Sequence, residues 1–246
     1  MTPMLRVQGL TKVFGKGREE TAVLREVSFE VEERTFACVM GPSGSGKTTL
    51  LHLVSGLDEP SAGAIVLAGR DLGTLSQRER TLHRRRTIGY VFQFFNLLPN
   101  LSVRDNVGLP LAIAGRGRGE VERAVPPLLE RLRLAGRAGA LPHQLSGGEM
   151  QRASIARALC GGQPLVLADE PTGNLSQKAG LEVMQALREV RDRDGRTVLL
   201  VTHNPRDAAF ADVVYFLVDG QLSERVLRGP NLAVEAVHEA LAALSI

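Results

Sequence analysis

Four short clusters in this chain could do chemistry. The first, Gly41-Pro42-Ser43-Gly44-Ser45-Gly46-Lys47-Thr48, fits the pattern G-x-x-x-x-G-K-[ST]. Its glycines let backbone N–H groups turn inward around phosphate oxygens, and a helix opening there adds partial positive charge. Lys47 can then reach the β- and γ-phosphates, and the Thr48 hydroxyl can ligate Mg²⁺. The second cluster is Leu145-Ser146-Gly147-Gly148-Glu149. A serine hydroxyl and two glycine amides at a helix start make either another anion site or an ordinary N-cap with flexible glycines. The third, Leu165-Val166-Leu167-Ala168-Asp169-Glu170, is a short apolar strand with adjacent carboxylates at its C-terminal end, the end at which ligands sit in open α/β sheets. Asp169 can hold the Mg²⁺ shell, directly or through water. Glu170 can polarise an attacking water as general base, a role worth roughly 10²–10⁴-fold; a solvated acidic turn is the plain alternative. The fourth is His203, which by itself reads as a surface histidine at a strand end. The first cluster points to a nucleoside triphosphate. The sequence holds no N-K-x-D guanine reader, which favours adenine.

These groups need elements to hold them. Phe36-Ala37-Cys38-Val39-Met40 is a continuous apolar run ending at Gly41 and predicts a strand covered on both faces. A helix follows from Gly46 to about Ser55. Phe29 and Val31 alternate with charged neighbours as in a half-buried strand. Ser76 and Glu79 form an S-x-x-E capping signature for a short basic helix to about Arg86, with a strand over Ile88–Phe92 after it. From about Asn96 to Leu159 the pattern is helical. Ser102 can cap one helix, with Asp105 in its first turn. Gly115–Gly119 is a loop, and a further helix over roughly Glu120–Leu134 is expected to bend or split at Pro126 and Pro127. Another begins near Gly147. Strand character returns at Leu165–Ala168 and Thr197–Thr202, with Leu181, Met184, Leu187 and Val190 at helical spacing between them. Asp219-Gly220 marks a hairpin. From Asn231, the residues Val234, Val237, Leu241 and Leu244 form one apolar stripe. The expectation is an α/β fold with a helical insertion between two halves of a nucleotide-binding core.

Composition sets the outer limits. The chain has 246 residues, 43% apolar and 23% charged, which excludes wholesale disorder and the fibrous classes. Aromatics are 4%, with no Trp, so a surface of stacked aromatics for single-strand RNA is disfavoured. The formal charge of +3 permits contact with phosphates or anionic lipid without requiring either. The run His83-Arg84-Arg85-Arg86 reads first as a solvated helix face. Cys38 and Cys160 lie far apart and show no metal spacing, so they read as two reduced structural thiols. No uncharged stretch reaches the roughly 20 apolar residues of a spanning helix, and the start shows no secretory signal. The expectation is a cytoplasmic protein that would need another chain to cross a membrane.

The set GPSGSGKT, LSGGE, LVLADEP and VTH, in this order, resembles the ATP-binding subunits of ATP-binding cassette (ABC) transporters, over roughly Leu5 to Arg225. The resemblance implies a P-loop NTPase of the ABC ATPase fold. It has a RecA-like core with an N-terminal antiparallel β-subdomain and an α-helical subdomain. Placed on this chain as one domain, 1–95 and 160–230 form the core, 96–159 the helical subdomain, and 231–246 a C-terminal helix. It implies ATP and Mg²⁺ as ligands. Phe14 would stack on adenine, and Gly41 through Thr48 with Thr49 would bind the phosphates. Thr48, Gln93 and Asp169 would hold the metal. Glu170, His203 and Gln93 would be catalytic, with His203 a γ-phosphate switch. Ser146, Gly147, Gly148 and Glu149 would bind the ATP of an opposite protomer. The implied partners are a second copy on ATP binding and a membrane permease in a separate chain, with no nucleic acid. The implied place is the cytoplasmic face of the cell membrane, peripherally bound.

The stretches Phe92–Pro99, Val103–Val107 and Pro171–Leu175 narrow the resemblance to the subfamily that releases outer-membrane lipoproteins, exports macrolides or peptides, or acts with a cell-division permease. Amino-acid importer ATPases share the region after Gln93 but fit less well at Leu109-Pro110-Leu111 and Gly173-Asn174-Leu175. Departures are Ser176, where the D-loop has Asp; Glu33-Arg34-Thr35 for a Pro-Gly-Glu turn; Met150 after the signature; Asn204 after His203; and the helix beyond Asn231. Of these, Ser176 alone touches the implied chemistry.

Overall fold

Two sheets share the chain in a computed structural model that describes residues 3–15, 17, 20–230 and 232–244. Strands β1 (Leu5–Phe14), β2 (Thr21–Val31), β4 (Ala62–Leu67) and β5 (Arg70–Asp71) form an antiparallel sheet in the order β2-β1-β4-β5. In β2, Phe29 and Val31 are buried and Ser28 and Glu30 exposed, the alternation expected of a one-sided sheet. The larger sheet runs β10-β9-β3-β8-β7-β6, from β3 (Phe36–Met40), β6 (Ile88–Val91), β7 (Leu165–Asp169), β8 (Thr197–Thr202), β9 (Val213–Val218) and β10 (Gln221–Arg228). Its pairs are parallel except for β9 with β10. Every residue of β3, β7 and β8 is buried. In β3 the two faces serve different cores. Phe36, Cys38 and Met40 pack with the helices after β6, while Ala37 and Val39 pack with Leu50, Leu51 and the small sheet.

Helix α1 (Lys47–Val54) follows the phosphate-type loop, and α2 (Gln77–Thr87) begins with the reciprocal Ser76–Glu79 cap. Between β6 and β7 lie α3 (Val103–Ile113), α4 (Arg118–Arg131) and α5 (Gly147–Cys160). Then come α6 (Gln177–Asp192), α7 (Pro205–Ala208) and α8 (Val234–Ala243). The hairpin at Asp219-Gly220 has both residues at positive φ, 46° and 78°, as a two-residue turn requires.

Several expectations change. Strand β6 stops at Val91, leaving Phe92 outside, and β7 runs one residue further, to Asp169. Pro126 and Pro127 do not split α4, which runs unbroken through both. Proline's fixed φ is itself helical, but each proline removes an N–H donor and crowds the carbonyl four residues back; burial of Val125 and Leu129 on one face offsets this cost. It ends before Leu134 because Arg133 turns left-handed (φ 56°) and the Leu134 N–H closes onto the Leu129 carbonyl at 2.7 Å. The apolar pattern outlasts the helix because Leu134 is buried by that closing turn. In the basic run, His83 faces inward with Nε2 2.9 Å from the Leu67 carbonyl, and Arg84 donates to the Gly56 carbonyl; Arg85 and Arg86 are exposed. Cys38 and Cys160 are free and buried. Asn231, Ser245 and Ile246 of the expected C-terminal helix lie outside the described residues. Among the described residues no helix is long and apolar enough to cross a membrane.

Candidate active site

The parallel order β3-β8-β7 brings three strand ends side by side. Met40 pairs with Thr202, and Asp169 with Val201. The loop leaving β3 passes so close to β9 that a Cβ on Gly41 would stand 2.0 Å from the Leu217 carbonyl oxygen, a position that only glycine fills. Gly44 and Gly46 take φ of 82° and 102°, turning the chain into α1. The Ser45 hydroxyl is buried in this loop with no hydrogen-bond partner among the described residues. Buried Lys47 donates from Nζ to the Gly41 and Pro42 carbonyls, both at 2.9 Å, and lies 3.7 Å from Glu170 Oε1. At the second residue of α1, the Thr48 hydroxyl donates to Asp169 Oδ1 at 3.2 Å. Burial, foremost, pushes the Asp169 carboxyl above its ordinary range, with the Thr48 hydrogen bond opposing.

Glu170 is the hub. Its carboxylate accepts from the Thr202 hydroxyl at 3.2 Å and the His203 N–H at 3.4 Å, and lies 2.9 Å from His203 Nδ1. Its backbone is left-handed (φ 43°), a costly state for a residue with a Cβ. Lys47, Glu170 and His203, read from three separate motifs, thus converge in one place. Beside them Thr48 and Asp169 offer a hydroxyl and a carboxylate, hard oxygen donors of the kind Mg²⁺ takes while keeping water and phosphate in the rest of its shell. The residues present fit that ion.

Other expected residues lie elsewhere. The side chain of Gln93 sits against Gly173, where a Cβ would be 3.2 Å from its Nε2; among the described residues no hydrogen bond joins it to Thr48 or Asp169. Phe14 is exposed at the end of β1, with Lys12 Nζ 4.8 Å from its ring centre. Ser146, Gly147, Gly148 and Glu149 line a separate cleft with Asn174, Ser176 and Lys178, away from the phosphate-type loop. There Ser146 caps α5 in a reciprocal box. Its hydroxyl and N–H both donate to Glu149 Oε2 at 2.8 Å. Hydrogen bonds from Ser146, and then from Arg137, bring the Glu149 carboxyl down to about 2. Both Ser146 donors and the Glu149 carboxylate are thus engaged in capping, which leaves the amides of Gly147 and Gly148 as the cluster's donors among the described residues. Ser176 is the exposed N-cap of α6, accepting from the Ala179 N–H at 3.4 Å.

Sequence reasoning missed Thr202, Thr172, Asp207, Gln151 and Arg157. Thr202 stands in VTH and could have been found as a hydroxyl at a strand end. The others have no local signal, since their partners lie 35 or more positions away.

A family described as ABC transporter matches residues 24–173. The lipoprotein-releasing system ATP-binding protein LolD 2 of Caulobacter vibrioides is 44% identical over 220 residues, 89% of this chain and 96% of that protein. The macrolide export ATP-binding/permease protein MacB of Agrobacterium fabrum is 42% identical over 218 residues, 89% of this chain and 34% of that protein. A dimeric structure of the ATP-binding cassette MJ0796 of Methanocaldococcus jannaschii, in a post-hydrolysis state with ADP and Pi, superposes with a TM-score of 0.84 at 38% identity, covering 92% of this chain and 98% of that one.

Proposed function

The chain belongs to the ABC transporter family as an ATP-binding, ATP-hydrolysing subunit, and from that premise we propose how its residues do the work. The loop Gly41–Thr49 wraps the ATP phosphates with its amides, while Lys47 moves from its own loop carbonyls to the outer phosphates. Glu170 accepts a proton from the attacking water. Thr202 and His203 hold its carboxylate in line, and His203 follows the γ-phosphate. Thr48 and Asp169 would hold Mg²⁺, with Gln93 reaching in from beside Gly173. When bound, that ion would neutralise phosphate charge. Phe14 would stack on adenine.

Two copies associate on ATP. The glycine amides and Ser146 at the start of α5 face the γ-phosphate held by the other copy, and Ser176 lies between the two sites. Association and release drive a permease in a separate chain, with this subunit bound peripherally at the cytoplasmic face of the cell membrane. Export or lipoprotein release is the reading supported by the similarity to LolD 2 and MacB. The observation that carries the chemistry is the meeting of Lys47, Glu170 and His203 at three adjacent strand ends.

The test is Glu170→Gln. It should keep ATP binding, lower phosphate release at least about a hundredfold, and trap an ATP-bound species of doubled mass in light scattering. Parental phosphate release would remove Glu170 from the role of base. A strictly monomeric variant at high concentration with ATP would remove the dimer.

A further inference from the structure

We propose that Asp207, acting through Thr172, is a positioning residue for the hydrolytic step, fastening the turn that carries Glu170 to the helix that follows His203. The starting point is strain. Glu170 is a non-glycine residue in the left-handed region (φ 43°), and such a conformation persists only where its surroundings over-determine it. On its upstream side the constraint is visible: the Glu170 N–H donates to the Val201 carbonyl at 3.0 Å. Downstream, the Gly173 N–H closes a turn onto the Glu170 carbonyl at 3.1 Å. Something must keep that turn from rolling, and Thr172 is the residue inside it with an anchor. Its hydroxyl donates to a carboxylate oxygen of Asp207. Its β-carbon and methyl lie against Gly180 of α6, at 3.4 and 3.5 Å from where a Cβ there would stand, which leaves the hydroxyl facing Asp207.

Asp207 is placed to pass this constraint to the other reacting group. It lies in the first turn of α7, whose N-cap is Asn204, immediately after His203. The segments bearing Glu170 and His203 are therefore tied twice: directly, carboxylate to imidazole, and again through Thr172 and Asp207.

Stability alone does not account for the arrangement. Asp207 is 5% exposed, and among the described residues no lysine or arginine pairs with it. Desolvation raises its pKa, and the nearby Glu170 charge adds to the rise. A neutral residue of similar shape would be cheaper to bury. What the carboxylate supplies is a hydrogen bond to Thr172 stronger than a neutral acceptor would make. Its effect falls on the direction of the Glu170 carboxylate and spares the phosphate grip, because among the described residues neither partner hydrogen-bonds or ion-pairs with Lys47 or Thr48.

This inference rests on the reading of Glu170 as base. The test compares full-length parent, Thr172→Val, Thr172→Ser, Asp207→Ala and the Thr172→Val/Asp207→Ala double variant, with Glu170→Gln as reference. Steady-state hydrolysis of ATP with Mg²⁺, binding of a fluorescent ATP analogue and thermal melting are measured for each. Thr172→Val and Asp207→Ala should each lower kcat about tenfold, a loss typical of a misaligned reacting group, with KM and nucleotide affinity within about threefold. Thr172→Ser should recover most of the loss, and the double variant should be no slower than the slower single one. Parental kcat in Thr172→Val or Asp207→Ala, or a loss that Thr172→Ser does not recover, overturns the proposal. So do additive losses in the double variant, or losses that simply follow a fall in melting temperature. If Glu170→Gln is inactive while these variants match the parent, the positioning role alone fails. If Glu170→Gln retains turnover, the base assignment fails and takes the positioning role with it.

Discussion

Ser176 caps α6 with its hydroxyl in a place where the resembled D-loop has Asp, and the two residue types are equally good N-caps. The helix therefore tolerates Ser176→Asp, with a stability change within about 0.5 kcal/mol in urea unfolding. In the proposed dimer the added carboxylate would supply charge-assisted hydrogen bonds across the interface. We expect Ser176→Asp to raise steady-state turnover with the permease present and to leave ATP affinity within a few-fold; equal or lower turnover would show that Ser176 is no lesion in coupling. Asp207 gives a pH prediction. Its folded-state pKa is raised, chiefly by desolvation. Keeping it charged therefore costs stability at neutral pH, and the cost is relieved as pH falls through the raised value. Asp207→Asn should melt higher than the parent at neutral pH, with the gap closing in acid; a gap that widens in acid would contradict the sign. The difference between these residues and the phosphate loop lies in how far apart their partners are. Gly41–Thr48 is contiguous, and its chemistry follows from residue order. Thr172 and Asp207 meet only because β8 lies beside β7, which residue order does not state.

Helix α5 does more than carry the signature at its start. Gln151 donates to the Phe92 carbonyl at 3.2 Å, and Arg157 donates to the Phe95 and Asn96 carbonyls at 2.9 and 2.5 Å. Phe95 and Asn96 are both left-handed, φ 60° and 49°, so Arg157 holds a strained corner just after Gln93. Burial lowers its pKa, and it has no acidic partner among the described residues. Arg157→Ala should destabilise the fold by about 2 kcal/mol, the range for hydrogen bonds from a charged donor, measured by urea unfolding. It should also reduce permease-stimulated hydrolysis more than basal hydrolysis. Equal reductions in both would limit the corner's role to the fold itself. Element by element, the sequence was readable where burial was uniform or caps were explicit, as in β3, β8 and the Ser76–Glu79 and Ser102–Asp105 caps. It misled at Leu134, which is apolar because a turn buries it, and at His83, whose charged neighbours hid an inward hydrogen bond.

At the scale of the molecule, the exposed large apolar side chains are scattered, and two of them fall on one short segment. Phe94 is 70% exposed and Leu98 45%, both on the segment that Arg157 anchors. Expressed alone, the chain should stay in the supernatant. With its permease it should sediment with membranes and resist moderate salt, because apolar contact is not screened as surface charge is. A crosslinker at Phe94 that captures only supernatant proteins would contradict this.

The order β10-β9-β3-β8-β7-β6 has one more consequence, for synthesis on the ribosome. The strand that ends in the phosphate loop, β3, has no neighbour from its own half of the chain: Phe36 pairs with Val198, and Ala37 with both Leu199 and Val213. Until residues 197–218 have left the exit tunnel, five consecutive apolar residues have no strand to join, and the loop after them has no frame. Non-local pairing of this kind is slow and leaves sticky surface open in the meantime. A nascent chain stalled before β8 is thus a client for chaperones, and nucleotide can stabilise the protein only once translation has nearly finished.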